Sequence, residues 1–362
     1  MKQTSRIIST YSADTFGVCS ALFELGGMVV MHDASGCNGT YTTHDEPRWF
    51  DMDSRVYISA LTEMEAIMGD DEKLISDIAA AAEQLKPKFI AIVGTPIPTM
   101  VGFDFDAVAA LIEERTGIPS FGFATTGMNT YVHGVSMALE TLAKHFVADT
   151  GKKTKNPSMN ILGLTPLDFS VNGQGEAIAA WAGEQGYEVI SSWAMGSTLD
   201  DISRAGEAHL NLVVSAGGLK AAKMLEKRFG TPYIVGVPMD GRVEPSDLPG
   251  ESIVVVGEGV YSLSLAWALE RKLNRGVRVI CTTECHEKLL RPKDMMLRDE
   301  VEIETALQNA EIIIADPLYR PICPADSLFV ELPAEGFSGR IYRSRIPNLV
   351  ADFESFAKEL MK

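Results

Sequence analysis

Long hydrophobic runs are missing from this chain. No stretch approaches the ~20 apolar residues that a membrane span needs. Nothing behind Met1-Lys2-Gln3-Thr4-Ser5-Arg6 has the apolar core of a signal peptide. The expectation is a cytoplasmic protein with no membrane partner. Positive charge is scarce: 32 lysines and arginines stand against 49 aspartates and glutamates, a formal net charge of −17. A nucleic-acid partner needs a basic face, so that class is excluded. Cysteine is scarce too. Five in 362 residues is a small, odd number and makes no disulfide framework. No Gly-Lys-Ser or Gly-Lys-Thr phosphate loop occurs, so the chain is not expected to hydrolyse ATP itself. No Gly-x-Ser-x-Gly nucleophile elbow occurs either.

What is present is strand–helix alternation in three successive blocks. The first has strand patterns at 28–31, 56–60, 89–93 and 120–124, with helices at 71–85, 105–116 and 131–147. The second has strands at 159–162, 187–191, 210–214 and 233–235, with helices at 173–185 and 218–229. The third has strands at 252–256, 277–280, 311–315 and 328–331, with helices at 261–274 and 301–309, and the tail from 351 reads as a last helix. β-Branched runs between helices predict parallel sheets buried on both faces. Polar, proline-bearing links at 151–157 and 238–250 divide the chain into three doubly wound, Rossmann-like α/β domains at 1–150, 151–245 and 246–362. Ligands of such sheets lie beyond the C-terminal strand ends. Here those ends carry Thr95, Thr126, Asp168, Ser215, Glu258 and Asp316, which are expected to line a central substrate cleft.

The stretch from Gly17 to Tyr41 organises the rest. Cys19 is expected to open a short helix at 20–25, ended by Gly26-Gly27. The strand at 28–31 then empties into the polar loop His32-Asp33-Ala34-Ser35-Gly36-Cys37-Asn38-Gly39. Thiols at a helix start and in a glycine-flanked loop meet outward-pointing N–H groups, which lower a thiol pKa. Such a pair suits a soft metal or an iron–sulfur cluster; two unrelated buried cysteines is the plainer alternative. His32, Asp33 and His44 flank Cys37 and are candidates to relay protons, or simply polar loop residues that satisfy the backbone.

Other motifs point nowhere specific. Gly257-Glu258-Gly259 follows a strand, but Ser262 stands where a dinucleotide fingerprint needs its third glycine. Cys281-Thr-Thr-Glu-Cys285-His286 is not a zinc spacing, and its cysteines read as structural, as does Cys323.

His32-x-x-Ser35-Gly36-Cys37 with Tyr41, preceded by Cys19 and the Leu25-Gly26-Gly27 turn, resembles the cluster-binding region of the nitrogenase component 1 family. Ser59-Ala-Leu-Thr62-Glu63, Pro87-Lys-Phe-Ile-Ala-Ile-Val93, Leu210-Asn-Leu-Val-Val-Ser215 and Arg228-Phe-Gly-Thr-Pro232 extend the likeness over most of the chain. The resemblance implies three Rossmann-like domains around a central cleft. It implies that Cys19 and Cys37 bind one [4Fe-4S] cluster shared between two subunits, in a homodimer or a paralogous heterodimer. It implies an ATP-dependent, nitrogenase reductase-like iron–sulfur partner.

The departures narrow this. The family's third cluster cysteine is replaced by Gly94-Thr95-Pro96, its cofactor cysteine by Ser215, and no histidine follows His286 to act as second cofactor ligand. Dinitrogen reduction is therefore not expected. The resemblance implies the catalytic component of a nitrogenase-like reductase acting on a small organic substrate, tetrapyrrole-like in relatives of that kind, with a non-catalytic scaffold for a metal cluster or tetrapyrrole as the alternative.

Overall fold

Runs such as Ile90-Ala-Ile-Val93 have no polar face and must be covered on both sides, which a parallel sheet between helices achieves. The computed structural model describes residues 5–34, 36 and 38–361 and contains three such sheets. The first takes β1 (Met28–Met31), β2 (Val56–Ile58), β3 (Ile90–Val93) and β4 (Ser120–Phe123) in the order β2-β1-β3-β4. The second takes β5 (Ser158–Leu162), β6 (Glu188–Ser192), β7 (Leu210–Val213) and β8 (Tyr233–Val235) in the order β6-β5-β7-β8. The third takes β9 (Ile253–Gly257), β10 (Val277–Cys281), β11 (Met295–Met296), β12 (Ile312–Ala315) and β13 (Leu328–Glu331) in the order β11-β10-β9-β12-β13. All the pairings are parallel. The expected α/β class and its parallel sheets are what the structure has.

Each sheet begins on an inner strand, winds outward to one side, then crosses to the other. That leaves a switch point between β1 and β3, between β5 and β7, and between β9 and β12. Loops leaving two neighbouring strands in opposite directions open a crevice there. His32-Asp33 and Thr95 stand at the first switch point. Ser215 and the helix Pro166–Phe169, which carries Asp168, stand at the second. Glu258 and Asp316 stand at the third.

The helix near Cys19 differs from expectation. It runs Asp14–Leu22, so Cys19 is its sixth residue and lies well past the N-terminus. Gly17 reads as a breaker, yet it is helical. Its lack of a side chain lets this helix cross the helix Tyr131–His145 backbone to backbone. A Cβ on Gly17 would run into the Tyr131 carbonyl, and one on Gly134 into the Asp14 carbonyl. Asp14 fixes the crossing further. Its carboxylate accepts from the N–H groups of Thr126 (3.1 Å) and Gly127 (2.8 Å) and from Asn129 Nδ2 (3.0 Å). The helix Glu63–Met68 was not foreseen. Its capping box, Thr62 with Glu65, is formed on both sides.

Gly134→Ala is expected to cost about 2 kcal/mol or more of unfolding free energy, because overpacking at a backbone contact outweighs the better helix propensity of alanine. Gly183→Ala, in the helix Gln174–Glu184 with open space around it, is expected to gain about 0.5–1 kcal/mol. Urea unfolding of both variants checks the opposite signs.

Candidate functional site

The helix Asp14–Leu22 is buried along its whole length, and Cys19 is 2 % exposed. Burial, with the Glu46 carboxylate nearby, pushes the Cys19 thiol up, the reverse of the lowering expected at a helix start. Glu46 belongs to a buried ionic cluster that sequence reasoning missed. Arg48 donates to Glu46 Oε1 (2.6 Å), Glu24 Oε1 (3.0 Å), the Ser20 carbonyl (2.7 Å) and the Ala194 carbonyl (2.7 Å). It thereby ties the residue after Cys19 to the loop after β6. The only prior signal was a single cation among Pro47, Trp49 and Phe50. Cys37 lies outside the described residues.

His32 and Asp33 end β1 and are buried. His32 Nδ1 meets Ser59 Oγ at 2.9 Å, and its ring lies 4.4 Å from that of Phe103. Burial holds the imidazole down at about 4, against the pull of Asp33, so it is neutral near pH 7. Asp33 accepts from Thr95 Oγ (2.9 Å) and Asn38 Nδ2 (2.6 Å). These bonds brace the two ends of the segment that carries Cys37. A pocket of about 240 Å³ opens beside His32, bounded by Ser59, Glu65 and Lys73. His44 is exposed against Trp49, with ring centroids 5.0 Å apart.

The six expected cleft residues separate into groups. Thr95 belongs with Asp33, and Thr126 lies in the loop held by Asp14. Asp168, Glu258 and Asp316 come together around one cavity, lined also by Tyr261 and Phe337. Ser215 sits beside it; its Oγ donates to the Gly163 carbonyl (2.9 Å), and the next N–H, of Ala216, donates to Glu258 Oε1 (2.8 Å). The cavity measures about 30 Å³, the size of a water site. An organic molecule enters only if the surrounding strand ends part.

This cavity is acidic, and burial shifts its acids toward the protonated form. The Tyr131 hydroxyl, at the start of its helix, donates to Asp168 Oδ1, and Thr165 Oγ donates to Oδ2 (3.2 Å). Burial first, and then Glu258, pushes the Asp168 carboxyl well above the usual carboxylate range. Burial raises Glu258 and Asp316 as well, against the backbone N–H groups that bond them. Tyr131 was not foreseen; the signal was its place just after the polar end of β4, at a helix start.

A profile of the family described as "Nitrogenase component 1 type Oxidoreductase" matches residues 14–242. The chain belongs to this family. The matched stretch holds Cys19, Cys37 and the first two sheets. Among curated proteins, the chain is 32% identical over 176 residues to the "Nitrogenase iron-molybdenum cofactor biosynthesis protein NifE" of Clostridium pasteurianum, covering 48% of this chain and 38% of that one. It is 26% identical over 184 residues to a light-independent protochlorophyllide reductase component of Nostoc punctiforme, covering 47% and 35%. The alignment thus spans less than half the length of either relative. The solved structure "Nitrogenase Cp1 at pH 5" superposes with a TM-score of 0.68 over 99% of this chain and 89% of that chain, at 16% identity. That likeness establishes a shared fold, third sheet included.

Protonated Asp168 has a pH signature. A folded-state pKa above the unfolded one gives stability that is fully present below the unfolded pKa and lost as pH rises through the folded one. One such proton contributes a slope of up to about 1.4 kcal/mol per pH unit. Asp168→Asn keeps an acceptor for Tyr131 and removes this loss. The stability of the variant relative to the parent is expected to rise from pH 5 to pH 8, read from urea midpoints. A constant difference would show that Asp168 is ionised in the fold.

Proposed function

We propose that the chain is the catalytic component of a two-component nitrogenase-like reductase that reduces a small organic substrate at the cavity between the sheets. The observation that carries the catalytic reading is the set of carboxyl groups buried together at the switch points, each shifted by burial toward the protonated form. Reduction of an organic acceptor consumes protons along with electrons. Asp168, bonded by Tyr131, and Glu258 are shifted toward holding protons at the place where β5, β7, β9 and β12 point. His32, neutral and bonded to Ser59, orients the loop after β1.

The soft donors fit an iron–sulfur cluster, which when bound supplies low-potential one-electron transfer. Cys19 and Cys37 are the residues that would hold it. Burial beside Glu46 keeps the Cys19 thiol protonated until a bound cation ionises it. A [4Fe-4S] cluster ordinarily takes four protein ligands. Two chains about a two-fold axis would supply them, and two-fold dimers are the commonest oligomers. Exposed apolar surface supports a homodimer. The helices Glu63–Met68 and Pro96–Val101 pack together beyond β2 and β3. Met64, Ile67, Met68 and Met100 are between 68% and 85% exposed there, an apolar face of the kind that subunits cover. An ATP-dependent iron–sulfur reductase is the electron donor of this reading.

A second reading is a scaffold that carries a metal cluster or tetrapyrrole for another protein. The likeness to a protein named for cofactor biosynthesis favours it.

Anaerobic purification with iron and sulfide analysis and native mass spectrometry tests the assembly. About four irons per two chains are expected. Cys19→Ala and Cys37→Ala are each expected to lose most of the iron and the visible absorption, while Cys323→Ala, whose thiol donates to the Tyr319 carbonyl, keeps both. A monomer holding four irons, or full iron in both variants, overturns the cluster assignment. Turnover of tetrapyrrole precursors that requires the reductase and ATP supports the catalytic reading. Release of the bound group to a partner without turnover supports the scaffold.

A further inference from the structure

Cys281 ends β10, and Cys285 follows after Thr282-Thr283-Glu284. The two thiols converge on the first residue of the helix Gly259–Leu273. A Cβ built on Gly259 would lie 2.5 Å from Cys285 Sγ and 3.3 Å from Cys281 Sγ. Both sulfurs therefore crowd one point, and Gly259 is the residue that leaves them room. This explains a glycine at a strand–helix turn whose dinucleotide fingerprint is incomplete. The Cys285 thiol lies 3.9 Å from the His286 carbonyl. Cys281 is fully buried, its thiol 3.4 Å from the Thr283 carbonyl, and Cys285 is half-buried and open to solvent on one side. Among the described residues no third His, Cys, Asp or Glu joins them in a metal-ligand group.

We propose that Cys281 and Cys285 form a reversible dithiol–disulfide pair, a modification site outside the cluster-binding region. The oxidant is a low-molecular-weight disulfide. The Cys285 thiolate attacks one sulfur of the oxidant, forms a mixed disulfide and releases one small thiol. Cys281 then attacks Cys285 Sγ, closes the intramolecular bond and releases the second small thiol. Two electrons pass from the protein sulfurs to the oxidant, and the two thiol protons end on the released thiols. The half-exposed Cys285 takes the first step, and the buried Cys281 resolves it. The neighbouring Cys281 and burial push the Cys285 thiol up, so exchange accelerates as pH rises.

The ring so closed contains Glu284. That carboxylate accepts from the Thr130 N–H (3.2 Å) and the Thr130 hydroxyl, at the cap of the helix that delivers Tyr131 to Asp168. The pair therefore sits on a contact between the third and first sheets.

The test uses the full chain, prepared anaerobically and exposed to oxidised glutathione at pH 7 and pH 9. Cleavage after Arg278 and Lys288 puts both cysteines, and no other, on the peptide 279–288. The expected result is a peptide lighter by two hydrogens, resistant to alkylation after unfolding, formed faster at pH 9 and reversed by dithiothreitol. Cys281→Ser is expected to accumulate glutathione on Cys285 instead. Two alkylated cysteines after oxidation would overturn the proposal, and so would a stable glutathione adduct on Cys285 in the parent protein.

Discussion

Two helices that touch without side chains between them hold this structure together. The helix Asp14–Leu22 carries Cys19, and the helix Tyr131–His145 begins with the tyrosine that bonds Asp168. Because Gly17 and Gly134 bring the two backbones into contact, the position of one helix fixes that of the other. Tyr131 N donates to the Ser12 carbonyl (3.0 Å), and Ser12 N donates in turn to the Gly336 carbonyl (3.0 Å). The segment before Cys19 is thus pinned to the start of one helix and to the chain that follows the third sheet. A displacement of Cys19 would be felt at the acidic cavity through rigid backbone, since interiors packed this closely transmit strain.

Two groups of buried charge are handled in opposite ways. Arg48 is taken fully out of water, yet Glu46, Glu24, the Ser20 carbonyl and the Ala194 carbonyl satisfy its donors, and the guanidinium stays ionised. Coulomb attraction in a low dielectric offsets desolvation when the geometry is this complete. Asp168 is bonded to no cation among the described residues. Its neighbours are a phenol, a hydroxyl and a second carboxyl group, so desolvation wins and the proton stays. The same chain therefore has a fixed charge beside Cys19 and acids that burial shifts toward the protonated form at the cavity.

Sequence reading recovered the parts of the fold that depend on local pattern. Among the described residues thirteen strands form where twelve were expected; the addition, β11, is two residues long and pairs with β10 alone. Glu258, Asp316 and Asp168 were legible because polar strand ends mark switch points in any doubly wound sheet. Thr95 and Thr126 obey the same rule and yet belong elsewhere, because which strand ends face each other is decided by how the sheets pack. Cys19 was misplaced for a related reason. Gly17 has the local signature of a helix breaker, and only its partner helix, more than a hundred residues on, explains a glycine inside a helix. Arg48 and Tyr131 escaped notice because each is defined by contacts distant in sequence.

The small size of the cavity would make opening and proton transfer a single problem in the proposed reductase. Three hydrogen bonds span the sheets around it: Tyr131 to Asp168, Ala216 N–H to Glu258, and Thr130 to Glu284. A guest larger than a water must separate the first two, at about 1–3 kcal/mol for each buried group left unpaired. The guest can offset that cost by accepting a hydrogen bond from protonated Asp168 or Glu258. An acceptor with no such atom would leave both acids stranded. A guest that takes the protons leaves two carboxylates close together in a low dielectric, and their repulsion favours the open form. In the proposed reductase reading, uptake of a polar acceptor, its protonation and the release of a product would be driven by one pair of acids. The order of those events follows from which of the two holds a proton.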